Sequence, residues 1–495
     1  MRIALDRESG SPLYQQVRDA LRARIADGTL APGSELPASR TLARTLDVNR
    51  GTVTLAYDEL VASGLLYRHV GRGTFVSNSL PATTEARSAP PPQIRWEDKL
   101  ALDPLRTRDP VFDEVARFAA QPGTISFAGG HPDSSLFPLD EFRKALGAAL
   151  KEEGKKLLNY GTPGGSAPFV ELLRRILLDR GIAAAPSEIL VVNGSQQGID
   201  LVARLLVRPG DTVLVEDPTY HGALNVLRAL GARVVGIPVD EEGLSVAALE
   251  RALERERPKL LYTMPTFQNP TGVRLSLARR TRLVALAARH ELPVLEDDFK
   301  GDLGYEGEEL PPLRALPEGR DVIYAGTFSK MLFPGVRLGW LVAPAPLVAR
   351  LALAKATVDL SSSLIFQAAM IRFARGTRLE RHAERVRGEY RKRRDALLEA
   401  LEEEMPRGTT WTRPAGGFSL AARVALDTSE LLPRAAERGV VFTPGKVFSV
   451  SGDPCSMRLS FGGLRVEQIR EGVKRLAAAV KGARASAPPL AAAPV

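Results

Sequence analysis

The sequence predicts an α/β protein in two parts: a small helical domain closed by a hairpin, then a large domain on a mostly parallel sheet. Three observations carry this. The chain has 495 residues, more than one ordinary core accommodates. From Ile189 onward, short apolar runs rich in β-branched residues alternate with amphipathic stretches, the pattern of strands covered by helices on both faces. Ahead of them, a Pro/Ala/Ser/Thr-rich stretch sets apart an N-terminal segment whose apolar residues recur at helical spacing.

Composition narrows the class. Hydrophobic residues at 44% and charged residues at 25% suit a globular protein, and no apolar run approaches the roughly 18 residues of a membrane span. The opening MRIALDRESGSPLYQQ lacks the apolar core of a secretory signal. The single cysteine, Cys455, excludes an internal disulfide and a cysteine metal cage. A cytoplasmic protein without a membrane partner is expected. The net charge of +9 permits a polyanionic partner without requiring one. His221, His290 and His382 lack ligand spacing, so no metal is expected.

Residues 1–79 read as three helices and a hairpin. Ser11 and Pro12 form a helix start, with Leu13, Val17, Leu21 and Ile25 on one face. A second helix starts at Ser39, and Asn49 can cap a third that carries Val53, Ala56, Tyr57 and Leu60 up to Gly64. Leu66–Val76 then reads as two short strands around a Gly-Arg-Gly tip. Three short helices and a hairpin describe a winged helix-turn-helix. Over LPASRTLARTLDVNRGTVTLAYDELVASGLLYRHVGRGTFV the segment closely resembles the GntR family. That resemblance implies a third helix in the major groove of double-stranded operator DNA. Arg40, Arg50, Thr52 and Arg72 are then the expected contacts, Arg50 and Thr52 from the first turn of the third helix. Asp47, Asp58 and Glu59 offset much of the arginine charge here.

A flexible linker is expected over 80–110, with Trp96 and Leu100 able to dock onto the following domain, and a disordered tail over 482–495. Between them, 111–481 should form the large domain. Strands are expected at Ile189–Val192, Thr212–Val215, Val234–Ile237, Leu260–Thr263, Val294–Glu296 and Val322–Ala325, separated by helices such as Ser195–Leu206 and Ala278–Arg289. The very basic stretch Arg372–Arg394 reads as a solvated helix face.

The polar motifs fall at the strand ends, where ligands of such sheets bind. Asn193–Gly198 (NGSQQG) follows a strand and opens a helix, so its backbone N–H groups and the Ser195 hydroxyl could cradle a phosphate. Tyr220 could stack on a flat ring, and PTFQNPTG presents Asn269. The adjacent carboxylates Glu296, Asp297 and Asp298 repel one another and need a cation, such as a pyridinium nitrogen. Gly326–Gly339 (GTFSKMLFPGVRLG) places Lys330 behind Thr327 and Ser329 and ahead of Arg337. A lysine there can condense with an aldehyde while its neighbours hold a phosphate, which suits pyridoxal 5'-phosphate.

Together these segments resemble the fold-type I pyridoxal-phosphate enzymes of aminotransferase class I/II. The resemblance implies a PLP-dependent transferase fold with a smaller C-terminal α+β subdomain, and a homodimer. It implies that Lys330 is the cofactor lysine and moves the substrate proton, and that Asp297 keeps the ring nitrogen protonated. Asn269 would bond the ring oxygen and Tyr220 stack on the ring. Ser195, Gln196, Thr327, Ser329 and Arg337 would hold the phosphate, with Tyr160 reaching it from the neighbouring subunit. Arg458 would take the substrate carboxylate. Phe299 stands where the family commonly has a tyrosine on the ring oxygen, and Tyr305 is its candidate replacement. The combination of head and body resembles the MocR group of bacterial transcription regulators, implying a regulator that senses the cofactor, an amino acid or another amino compound. The alternatives are a working aminotransferase that moves an amino group to a 2-oxo acid, or a body serving only as a dimerisation scaffold.

Overall fold

The computed structural model describes residues 3, 5–7, 11–69, 73–77, 99, 109–299 and 301–486, in two compact units that divide at Leu100. Arg72, nearly all of the 80–110 linker with Trp96 and Leu100, and residues 487–495 of the expected tail lie outside the described residues.

In the first unit, α1 (Leu13–Ala26), α2 (Ser39–Leu46) and α3 (Arg50–Ala62) bury the predicted apolar faces. Val17, Leu21, Leu42, Val53 and Leu60 meet in one cluster. The first helix begins one residue later than expected: Pro12, with ψ 138°, itself takes the extended cap position, and Ser11 falls outside. Asn49 caps α3 as expected, its side chain accepting the Gly51 N–H at 2.9 Å. Between α2 and α3 the chain turns through Asp47 at φ 52°, left-handed backbone that aspartate tolerates better than most residues. A strand that the sequence does not announce, β1 (Glu35–Leu36), pairs with one side of the hairpin formed by β2 (Leu66–His69) and β3 (Gly73–Val76).

The second unit begins with α4 (Val111–Ala119), the short β4 (Ile125–Ser126), α5 (Leu139–Glu153) and α6 (Ala167–Asp179). An eight-stranded sheet follows. Its strands are β5 (Ile189–Val192), β6 (Thr212–Asp217), β7 (Arg233–Asp240), β8 (Gly243–Leu244), β9 (Leu260–Thr263), β10 (Val294–Asp297), β11 (Ile323–Thr327) and β12 (Gly339–Val342). The spatial order is β5-β12-β11-β10-β9-β6-β7-β8, parallel from β11 through β7. The antiparallel β12 sits between β5 and β11, and β8 closes the far edge. Neither was expected from the sequence.

Interleaved helices α7 (Ser195–Leu206), α8 (His221–Ala229), α9 (Val246–Arg255), α10 (Leu277–Arg289), α11 (Ala345–Asp359) and α12 (Leu364–Phe373) cover both faces. On β6 the split is direct. Val213 and Val215 join the cluster that contains Ile199 and Leu224, whereas Leu214 between them joins Leu249 and Leu283. This is the two-sided burial that makes parallel strands continuously apolar.

The chain ends in a smaller α+β layer. β13 (Thr410–Trp411), β14 (Ser419–Arg423), β16 (Thr443–Pro444) and β17 (Ser456–Ser460) form an antiparallel sheet, while β15 (Val440–Val441) pairs with β4. Against it lie α13 (Arg378–Glu404), α14 (Thr428–Ala436) and α15 (Val466–Ser486). The last helix runs beyond the expected boundary at Lys481 to Ser486, so the first part of the expected tail is helical.

The solvated face expected for Arg372–Arg394 holds for Arg375, Arg381, Arg385, Arg391 and Lys392, which are exposed, and fails for three arginines. Arg372, Arg393 and Arg394 are buried and paired: Arg372 with Glu152 and Glu153, Arg393 with Asp133, and Arg394 with Glu306. Apart from Asp395, which also pairs with Arg394, their partners lie far away in the sequence, where no local charge pattern announces them. Among the described residues, no helix is long and apolar enough to cross a membrane, and no cluster of three His, Cys, Asp or Glu side chains could hold a metal.

Candidate functional site

The carboxyl ends of the central strands collect the predicted side chains. Val192 ends β5, and Gly194, at φ 86°, then opens α7 with Ser195 as its first residue. Arg337, in left-handed backbone at φ 46°, donates to the Asn193 carbonyl at 2.6 Å. A Cβ on Gly194 would come 2.7 Å from that guanidinium, so only glycine leaves this pocket of N–H groups and positive charge open. Thr327, the last residue of β11, has its hydroxyl 3.0 Å from both the Ser329 hydroxyl and the Leu338 carbonyl. Across the cradle Tyr220 donates to Gln196 Oε1 at 3.0 Å, and Gln196 donates to the Gly222 carbonyl.

The three adjacent acids separate in a way that explains the motif. Strand alternation sends Asp297 to one face and its two neighbours to the other. Glu296 accepts the backbone N–H groups of Leu313 and Arg314. Asp298 pairs with Arg180 at 2.6 Å and accepts from Tyr324. Asp297 is 1% exposed, accepts from Tyr262 at 2.8 Å through one oxygen, and leaves the other buried without a partner. Burial, against the Tyr262 bond and with help from Asp298 and Glu216, pushes its carboxyl up to about 7. A buried carboxylate with a free oxygen calls for a cation.

Lys330 donates to the Gly130 carbonyl at 2.9 Å. Burial, reinforced by Arg458 and Arg337 and opposed by Asp297, brings its ammonium down to about 8. Arg458 donates to the Ala128 carbonyl at 2.8 Å and to Asn269 Oδ1 at 3.3 Å, and its guanidinium carbon lies 4.8 Å from the Phe448 ring centre. Its Nε is buried without a partner, and burial lowers its pKa to about 10. His131 lies in the same field: burial, Lys330 and Arg458 all hold it below the usual histidine range.

Lys330, Asp297, Asn269, Arg458, Tyr220, Gln196, Ser195, Thr327, Ser329 and Arg337 therefore surround one region at the strand ends. Tyr160 is not drawn in; it is 78% exposed. Phe299 stacks on Tyr220 with ring centres 6.4 Å apart. Tyr305 does not replace the missing phenol, because its ring packs under Arg394 within the C-terminal core. Tyr262, Gly130 and Ala128 were not foreseen from the sequence. The last two offer only backbone carbonyls, and a tyrosine inside an apolar strand gives no signal of its own.

In the first unit, Arg40 and Arg50 are exposed, and Thr52 is half-buried at the start of α3. The acids that dilute this domain's charge are each committed: Asp47 to Arg7 at 2.8 Å, Glu59 to Arg18 at 2.8 Å and Asp58 to Arg68 at 2.5 Å. Arg40, Arg44 and Arg50 form no ion pair with any described residue and stay available to an anion. Arg44 was missed, although its i,i+4 spacing from Arg40 places both on one side of α2.

The donor set fits pyridoxal phosphate. An unpartnered buried carboxylate meets the need of a ring nitrogen, burial brings a lysine down to about 8, and a glycine-lined cradle is backed by an arginine. Fold and site thus define a body of the fold-type I pyridoxal-phosphate class joined to a winged helix-turn-helix head. The chain belongs to the aminotransferase class I and II family, matched over residues 125–476, and residues 13–76 match the gntR family of bacterial regulatory proteins. The probable rhizopine catabolism regulatory protein MocR of Rhizobium meliloti is similar along both parts, 31% identical over 96% of this chain and 95% of that protein. Aromatic-amino-acid aminotransferase 1 of Thermococcus litoralis is 37% identical over 79% of this chain and 96% of its own length. The crystal structure of the α-aminoadipate aminotransferase LysN of Thermus thermophilus, complexed with N-(5'-phosphopyridoxyl)-L-leucine, superposes with a TM-score of 0.74 and 36% identity, covering 79% of this chain and all of that one.

Proposed function

We propose that the protein is a pyridoxal-phosphate-dependent transcription regulator of the MocR type. Its head binds double-stranded operator DNA in the cytoplasm, and its body binds the cofactor and senses it or an amino compound. The carrying observation is the presence in one chain of both a head with outward-facing arginines and a cofactor cradle with its lysine, carboxylate and arginines in place. Relatives such as MocR match over both parts.

Bound pyridoxal phosphate supplies an aldehyde that captures amines and a ring that withdraws electrons. The chain supplies the rest. Lys330, brought down to about 8, offers a substantial neutral fraction near physiological pH. The free oxygen of Asp297 holds the proton on the ring nitrogen, with Tyr262 fixing the other oxygen. Tyr220 would cover the ring, and Asn269 would reach its oxygen. Gly194, Ser195, Gln196, Thr327, Ser329 and Arg337 hold the phosphate. Arg458 turns its planar fork to the effector carboxylate. Exposed Leu139, Leu158 and Tyr160 support a homodimer in which Tyr160 reaches the partner's cradle. In the head, Arg40 and Arg50 contact phosphate or base edges, and Thr52 assists.

A second reading, transamination between an amino acid and a 2-oxo acid, is favoured by one specific observation: Lys330, Asp297 and Arg458 are all present in one site. Single-turnover spectra with a panel of amino acids separate the two readings. Fast conversion with a common donor would favour the enzyme, and slow or arrested conversion together with operator binding favours the regulator. A protein that stays colourless with the cofactor would contradict both.

A further inference from the structure

We infer that Asp359, at the end of α11, is a positioning residue for the phosphate cradle, held in place by the buried lysine Lys355. The inference rests on the cofactor reading above. Lys355 is fully buried, and its ammonium donates to Asp359 Oδ1 at 2.7 Å. The other oxygen, Oδ2, accepts two donors from the cradle: Asn193 Nδ2 and Gln197 Nε2, each at 2.6 Å. Gln197 closes the ring by accepting the Asn193 backbone N–H at 2.7 Å. Asn193 is thus fixed at three points, because its carbonyl also accepts from Arg337. It immediately precedes Gly194, where the N–H groups of α7 open toward the phosphate.

The chemistry explains why a charged pair sits here. A buried lysine without a partner would shed its proton or destabilise the fold, and Asp359 removes that cost. The same carboxylate then orients two amides that could otherwise flip, since each can present either oxygen or nitrogen. With Asp359 in place, both amides must point their nitrogens toward it, which leaves Gln197 Oε1 for the Asn193 backbone. Replacing Asp359 by asparagine would set a donor against a donor at one of these positions and release the loop. Lys355 and Asp359 are an i,i+4 pair on α11, but Asp359 lies 166 residues after Asn193, so nothing local in the sequence links the pair to that loop.

The test compares two probes that differ only in the phosphate: pyridoxal phosphate and pyridoxal. Dissociation constants are measured by absorbance titration for wild type and for Asp359→Asn. A positioning role predicts that the variant loses about 10- to 100-fold in affinity for pyridoxal phosphate, on the order of one lost hydrogen bond to a charged group, while its affinity for pyridoxal is unchanged. A parallel loss for both probes, or no loss for either, would overturn the inference. If Asp359→Asn does not fold, Gln197→Leu keeps the Lys355–Asp359 pair intact and is judged on the same ratio. A wild type that binds neither probe would instead count against the cofactor reading, and with it this inference.

Discussion

The two halves of the molecule use the same device, unbonded in one and already bonded in the other. In the head, Arg50 sits at the N-terminus of α3, exposed and without an ion pair among the described residues. In the body, Arg337 sits over the N-terminus of α7, already bonded to the Asn193 carbonyl and crowded against Gly194. Both combine an arginine with the N–H groups of a helix start. Both arginines are exposed; the unbonded one suits a long polyanion met in many registers, because it gains by releasing counterions. The pre-bonded version suits one small phosphate in one position, because its geometry is fixed before the ligand arrives. Charge alone does not distinguish them. The existing bond does: Arg337 is already held by the Asn193 carbonyl, whereas in the head Asp47, Asp58 and Glu59 are taken up by Arg7, Arg68 and Arg18, and Arg40 and Arg50 keep their charge for a partner.

The largest test of this contrast removes one half. Deleting residues 1–79 should abolish binding to operator DNA in a mobility-shift assay and leave pyridoxal phosphate bound. The body alone spans nearly the whole length of the aminotransferase relatives it matches. A body that still binds the operator would break the comparison. Next in size, Lys330→Ala should remove the visible absorption band of the cofactor-loaded protein entirely, with the head's fold unchanged by circular dichroism. Asp297→Asn should weaken cofactor affinity by about 1.5–3 kcal/mol, the worth of a charge-assisted bond, read by titration as roughly 10- to 150-fold.

Smaller effects sharpen the same point. Arg40→Ala and Arg50→Ala should each flatten the dependence of log Kobs on log salt by about 1 for each phosphate that the removed side chain neutralised, without altering the absorbance spectrum. The pH dependence of cofactor capture carries a sign. Because Lys330 is brought down to about 8 from an ordinary 10.5, its neutral form grows in as pH rises through about 8. The capture rate should therefore rise over that range and level off well before free lysine would. A profile still climbing toward 10 would mean that the ammonium is not held down by burial and Arg458.

How much of this was legible depended on range. The central strands could be read because each is a short, continuous apolar run, and helices α7 and α10 matched because their apolar spacing and start signals agree. β12 was hidden inside the lysine motif: GWLV follows directly on GVRL and invites reading as loop. The lysine, carboxylate and arginine of the site were visible as motifs. What holds them was not. Gly130 meets Lys330 across 200 residues, Tyr262 meets Asp297 from a neighbouring strand, and Asp359 meets Asn193 from a distant helix. The arginines of α13 show the same limit in reverse, since a basic run looks solvated until its distant acids are in place.

Above all, a regulator of this kind requires that the cofactor site of the body govern DNA binding by the head. The direct measurement is a fluorescence-anisotropy titration of a duplex from the chain's own upstream region, with wild type and Lys330→Ala, each with and without pyridoxal phosphate. The cofactor should shift the wild-type isotherm by a factor typical of coupled sites, about 5- to 150-fold, and leave the Lys330→Ala isotherm where it was. Superimposable wild-type curves, with the cofactor shown by absorbance to be bound, would contradict that coupling.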